Sequence, residues 1–204
     1  MYINDVNSKQ KNWKILTTTF VVMVLLAACK FLEPSAPERS FDLDELLLEG
    51  DISSDWELSA PVTSTGDDLC TTECLALPMK IEKDKRDELY ATQIVYRFQS
   101  IGIAQRTFKK VYLPFNQSLE LTNEWNYQSQ IAEQTHFGCD NVAGNVARFC
   151  QWGAQYKEFI VSFGILMPPG KETQESLALI EDIIIAIDER MAQYLNLSFE
   201  NIKD

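Results

Sequence analysis

Residues 131–167 read IAEQTHFGCDNVAGNVARFCQWGAQYKEFIVSFGILM, and the fold is decided by where this stretch turns. Gly144-Asn145 divides it, because glycine supplies the positive φ that a two-residue hairpin turn demands. Residues 131–139 and 146–156 are therefore expected to pair as antiparallel strands. After a second turn near 156–158, the run 159–167 carries enough apolar residues to be a third strand buried on both faces. The turn also sets the register, which places Cys139 opposite Cys150. Opposed residues have Cα atoms ~4.5 to 5.5 Å apart, within reach of a disulfide.

Working outward, Pro168-Pro169-Gly170 ends the third strand and Thr173 can cap a helix running to about residue 195, with Asn196 after it. Leu177, Ile180, Ile184, Ile187, Met191 and Leu195 form one stripe on that helix, widened by Ile183 and Tyr194, so one face is buried. Ile185 lies off the stripe, between Asp182 and Asp188. Upstream, Tyr90, Thr92, Ile94, Tyr96 and Phe98 alternate with Ala91, Gln93, Val95, Arg97 and Gln99, which is the period of a strand. Ser100 can cap a helix through Ile101, Ala104, Phe108 and Val111, stopped by Pro114, and 113–126 reads as a connecting loop. Residues 41–49 read as a short helix with Ser40 as cap and Gly50 as terminator. Its acidic spacing does not make a calcium loop, since Leu47 stands where the turn glycine belongs. The expected class is α+β: an antiparallel sheet in meander, covered on one face by helices, with a long C-terminal helix.

The N-terminus reads as an address rather than as part of the fold. Lys9, Lys11 and Lys14 precede an apolar run, 15–28, that ends in Leu26-Ala27-Ala28-Cys29. A retained membrane span is disfavoured, because the residues between Lys14 and Lys30 make about 22 Å of helix against a hydrocarbon core of ~30 Å. The closing four residues resemble the lipobox of bacterial lipoprotein precursors, an aliphatic residue and two small ones before an obligatory cysteine. The resemblance implies cleavage before Cys29, a diacylglyceryl group on its sulfur and attachment to a membrane through that lipid. Lys30 stands where some two-membrane bacteria place an inner-membrane retention Asp, which hints at an outer membrane if one exists. The expected organisation is a signal peptide at 1–28, a lipidated Cys and tether at 29–40 carrying Pro34 and Pro37, and one exported domain at 41–204.

Export also orders the cysteines. With Cys29 acylated, four of the five remain, and an even count in an oxidising compartment favours disulfides. If Cys139 pairs with Cys150, Cys70 pairs with Cys74 and closes a small turn. A four-thiolate zinc site is the competing reading, disfavoured because three and ten intervening residues do not make two tight knuckles. Removing residues 1–28, which hold three lysines against Asp5, takes the formal charge from −12 to −14. Such a domain repels phosphate backbones, so no nucleic acid is expected.

Chemistry-bearing motifs are sparse. His136 is the only histidine, and it falls in an expected strand beside Cys139. There is no Gly-x-Ser-x-Gly, no Gly-x-Gly-x-x-Gly and no phosphate loop, so neither a cofactor nor an enzyme is expected. Trp125, Tyr127, Trp152 and Tyr156 are candidates for a ligand pocket, since aromatics with polar handles favour interfaces, and equally for core packing. The order strand, helix, disulfide-bearing hairpin, strand, long helix over roughly 89–195, with Phe149-Cys150-Gln151-Trp152 running into Tyr156 and Phe159, loosely resembles the extracellular sensor domains of some bacterial transmembrane Ser/Thr kinases. It is similar also to many surface lipoproteins. The resemblance implies a tethered binding or sensory module for a small molecule or another envelope protein; a structural envelope lipoprotein and an extracytoplasmic hydrolase are the alternatives.

Overall fold

A computed structural model describes residues 33–49, 56–63, 69–70, 73–82, 88–113, 127–142, 147–167 and 174–197. The chain divides into two units, Met1–Ser35 and Ala36–Asp204, and the sheet and helices belong to the second. The address sequence, Cys29, Trp125 and the turn pair Gly144-Asn145 lie outside the described residues.

Among the described residues seven strands form one antiparallel sheet: β1 (Trp56–Leu58), β2 (Val62–Thr63), β3 (Glu73–Glu82), β4 (Glu88–Arg97), β5 (Gln134–Val142), β6 (Ala147–Tyr156) and β7 (Phe159–Met167). Two helices, α1 (Ile101–Val111) and α2 (Gln174–Leu195), complete an α+β fold. The spatial order is β1-β3-β4-β7-β6-β5, with β2 also on β3. The expected meander β5-β6-β7 is thus one half of the sheet, joined through β7 to β4. Val142 pairs with Ala147 across the turn, and the same register carries Cys139 opposite Cys150.

Strand alternation sorts the core into two faces. Val95, Val161, Phe163, Ile165, Trp152, Ala154 and Tyr156 share a cluster with Leu177, Ile180, Ile183, Ile184, Ile187 and Met191 of α2. Residues of the other parity, Tyr96, Phe98 and Ile160, pack with Ala104 and Phe108 of α1 and with Tyr112. The long helix therefore covers one face and the short helix part of the other. That is why β7 is buried at every position except Leu166. A glycine is required in β6 where Tyr112 lies against the sheet: a Cβ on Gly153 would meet its ring at 2.5 Å.

Several segments differ from what local patterning implies. β1, β2 and β3 were not expected: the first two are too short to show a period, and Pro78 interrupts the third. The structure accommodates that proline at a break in the sheet edge. Ser59 N–H donates to the Pro78 carbonyl at 3.0 Å, so the backbone polar groups of residue 78 face β1 rather than β4. Between the pairs Leu58↔Met79 and Val62↔Ala76 the edge strand carries one extra residue, a bulge beside the missing N–H. The helix expected at 41–49 is only a 3₁₀ turn, Leu43–Leu46, with Asp42 rather than Ser40 at its N-cap. Gln93, fully buried in β4, ends it by donating to Leu46 O (3.2 Å) and accepting from Leu48 N–H (2.9 Å), groups a longer helix would use itself. β5 begins at Gln134 and not at 131, because Ser129 Oγ accepts from the N–H groups of Ile131 and Ala132. At two other helix ends local chemistry is as expected, while the expected stop at Pro114 and cap at Thr173 lie outside the described residues. Ser100 Oγ accepts from Ile103 N–H at 3.2 Å, and after α2 Asn196 takes a positive φ of 51° while Leu197 N–H returns to Ala192 O at 2.9 Å.

The folded unit also takes in residues of the expected tether. Ala36 N–H donates to Gln99 O at 2.6 Å, and Arg97 donates to Pro37 O at 3.2 Å.

Candidate functional site

The α2 face of the sheet holds a buried carboxylate. Asp188 lies one turn beyond Ile184, on the stripe that packs against β6, and is 1% exposed. Tyr156, at the end of β6 with its side chain on the same face, donates its hydroxyl to one carboxylate oxygen. Tyr127, just ahead of β5, donates to the other at 2.5 Å. The Ser129 hydroxyl adds a further bond. Burial pushes the Asp188 carboxyl above its usual range, and the three hydroxyl donors oppose the shift without cancelling it. Burial and the neighbouring charge of Asp188 push both tyrosine hydroxyls upward, so they stay protonated donors. Both carboxylate oxygens are thereby occupied, and the cluster acts as a latch between α2, β6 and the segment entering β5 rather than as an open acid or base.

A second buried carboxylate, Glu158, sits in the turn between β6 and β7, where Lys157 has a φ of 53°. Arg39 closes on it with two parallel bonds, Nε to Oε1 at 2.6 Å and the terminal nitrogen to Oε2 at 2.9 Å. The Arg39 and Arg97 guanidinium carbons lie 5.9 and 5.8 Å from the Phe159 ring centroid. Beyond the turn, Glu133 gathers Gln155 (3.0 Å), Gln105 (3.1 Å) and Lys157 (3.1 Å). Burial raises its carboxyl, but these donors outweigh it and hold Glu133 below its ordinary value.

Of the concavities on the described surface, two lie beside residues 42–48. The larger, about 350 Å³, is lined by Asp42, Leu43 and Asp44 of the 3₁₀ turn, Thr63 of β2, and Cys70, Glu73, Cys74 and Leu75. The smaller, about 190 Å³, lies between Leu48 and the Ala186, Glu189, Arg190 and Gln193 side of α2. The described aromatic candidates, Tyr127, Trp152 and Tyr156, line neither. Trp152 (1% exposed) and Tyr156 (0%) are core, and Tyr127 meets Tyr156 at Asp188. Ile185 is half-buried.

The cysteines fall into two unlike pairs. Cys139 and Cys150 are bonded across β5 and β6 with Cα atoms 4.0 Å apart, and both are buried under α2. Cys70 and Cys74 are bonded with Cα atoms 5.5 Å apart at the start of β3 and border the larger cleft. His136 stands in β5 at the parity opposite Cys139, on the face away from Asp188, so the two do not form a catalytic pair. Among the described residues no group of three or more His, Cys, Asp or Glu is placed to hold a metal ion. No helix there is long and apolar enough to cross a membrane.

Asp188 and Glu158 are the site residues that sequence reading missed. A signal existed for the first, since position 188 follows Ile184 by four and Ile187 by one, inside the buried arc of the helix. None existed for Glu158, whose burial depends on Arg39, 119 residues away. No protein-family model matches this chain, and no curated protein matches it.

Proposed function

We propose that the chain is an exported bacterial lipoprotein, held on a membrane by lipid on Cys29, whose α+β domain is a binding or sensory module. The observation that carries the reading is the position of Leu26-Ala27-Ala28-Cys29 at the end of an apolar run preceded by three lysines. Two disulfides in the described domain are compatible with an oxidising compartment and support it. The cleft of about 350 Å³ beside the 3₁₀ turn falls in the size range of small-molecule sites and is the place where a ligand of the domain would sit.

Changing Cys29 to Ala tests the address. In cells fed a labelled fatty acid, the wild type should take up label and sediment with membranes through a high-salt wash, and C29A should lose both. Two or three acyl chains at ~0.8 kcal/mol per buried methylene make such attachment stable. A C29A variant that keeps its label would remove the lipoprotein assignment. A thermal-shift screen tests the module, because a ligand present at about 100 times its Kd adds ~2.7 kcal/mol to stability. Its effect should vanish when Leu75 in the cleft is enlarged to Trp, and persistence there would move the site elsewhere.

A further inference from the structure

The two disulfides differ in what can reach them. Cys139 and Cys150 are 0% and 1% exposed, inside the cluster beneath α2. An external thiol can meet their sulfurs only after the β5-β6 hairpin parts from the helix, an opening that costs much of the global stability. Cys70 is half-buried and borders the open cleft, whereas Cys74, also at the cleft, is 2% exposed, so the bond is open to attack from the Cys70 side. The ring they close spans a sequence separation of only 4. Opening it releases little chain entropy, and the fold does not depend on it. Cys74 is paired to Tyr96 in the β3-β4 ladder, which holds it independently of the bond. What the bond holds is the pair Leu69 and Cys70, which packs against the α1-face cluster of Phe98, Ala104 and Phe108.

We propose that Cys70–Cys74 is a thiol–disulfide exchange site, in which a dithiol partner unclasps Leu69 and Cys70 from the α1-face core. A thiolate of the dithiol attacks Cys70 Sγ in line with the S–S bond. A mixed disulfide forms at Cys70, and the electron pair leaves on Cys74 Sγ, which takes up a proton. The partner's second thiolate then attacks its own sulfur in the mixed disulfide and expels the Cys70 thiolate, which is protonated in turn. The partner is oxidised to a disulfide, and the protein disulfide is reduced to two thiols. Charge around the cleft selects the partner. Asp42, Asp44 and Glu73 border it, and among the described residues the cation paired there is Arg97, 3.6 Å from Glu73. The balance is negative, so an anionic thiol is repelled and a neutral or cationic dithiol, or one set in a basic surface, is favoured.

The experiment uses the full-length protein under native conditions, with dithiothreitol as the reductant, trapping by iodoacetamide and peptide mapping. It reads residues 70 and 74, so its result is separable from the lipidation of Cys29. Alkylation of Cys70 and Cys74 should run ahead of that of Cys139 and Cys150 by about tenfold or more, with the circular dichroism of the sheet unchanged. Cysteamine should form the mixed disulfide faster than mercaptoethanesulfonate by about threefold or more at low salt, each rate normalised to an uncharged disulfide, and the ratio should fall toward one in 0.5 M salt and in Asp44→Asn. Equal or slower alkylation at Cys70 and Cys74 would overturn the exchange site. A charge ratio near one at low salt would overturn the selection of partner by the cleft.

Discussion

Asp188 is held out of water by hydroxyls from two other parts of the chain, and its energetics are those of a buried acceptor whose bonds are all made. Tyr156→Phe removes one donor and leaves the ring, so the loss should be that of a hydrogen bond to a charged group, about 1.5 to 3 kcal/mol at neutral pH. The pH dependence has a definite sign. The folded pKa of Asp188 lies above the ordinary 3.8, so its contribution to stability is fully present below that value and is lost as pH rises through the folded pKa. Tyr156 opposes the shift, so Y156F should raise the carboxyl further, and its destabilisation should shrink as pH falls below the folded value. Carboxyl titration by carbon NMR beside urea unfolding at several pH values checks both; a lowered Asp188 pKa in Y156F would contradict the latch. Gly153→Ala is the steric counterpart, since the new methyl meets the Tyr112 ring and should cost about 1 to 3 kcal/mol, read as a lower urea midpoint. At this scale sequence is legible in part. Helical period puts Asp188 on the buried side, but its partners lie 61 and 32 residues away, and no local pattern joins them.

Among elements, the β5-β6-β7 meander and α2 carry the fold, and they were the most readable because each has a strong signal of its own. The pair Gly144-Asn145 marks the hairpin in the sequence, an unbroken apolar run makes β7, and one stripe makes α2. Elements read poorly where a tertiary partner overrides local preference. Gln93 cuts the first helix to a single 3₁₀ turn, and a bulged edge accepts Pro78 inside β3. Cys139→Ser with Cys150→Ser tests the hairpin. The disulfide closes a sequence separation of 11, and loop-closure entropy gives a loss of about 2 to 3 kcal/mol, visible as a lower melting temperature with membrane attachment unchanged. In α2, Ile184 is fully buried, so Ile184→Ala should lower stability by about 2 to 5 kcal/mol in urea unfolding. A loss under about 1 kcal/mol there would mean that α2 does not cover the sheet as described.

At the scale of the molecule, the end of the stretch expected as a tether is folded onto the domain, through Ala36 on Gln99 and Arg39 on Glu158. That junction was not legible, because residues 30–40 read by composition as a spacer, and only the buried Glu158 turns Arg39 into an anchor. Asp188 and Glu158 both hold segments together, and the acidic cleft at Cys70–Cys74 lies apart from them. Such a domain is read as a tethered binding module because of its address, so the address is what has to be measured. Intact-mass and peptide analysis of the protein extracted from native membranes should find residues 1–28 absent and Cys29 N-terminal, carrying the mass of a diacylglyceryl group. A mature chain that retains residues 1–28, or starts elsewhere with Cys29 unmodified, would contradict the account.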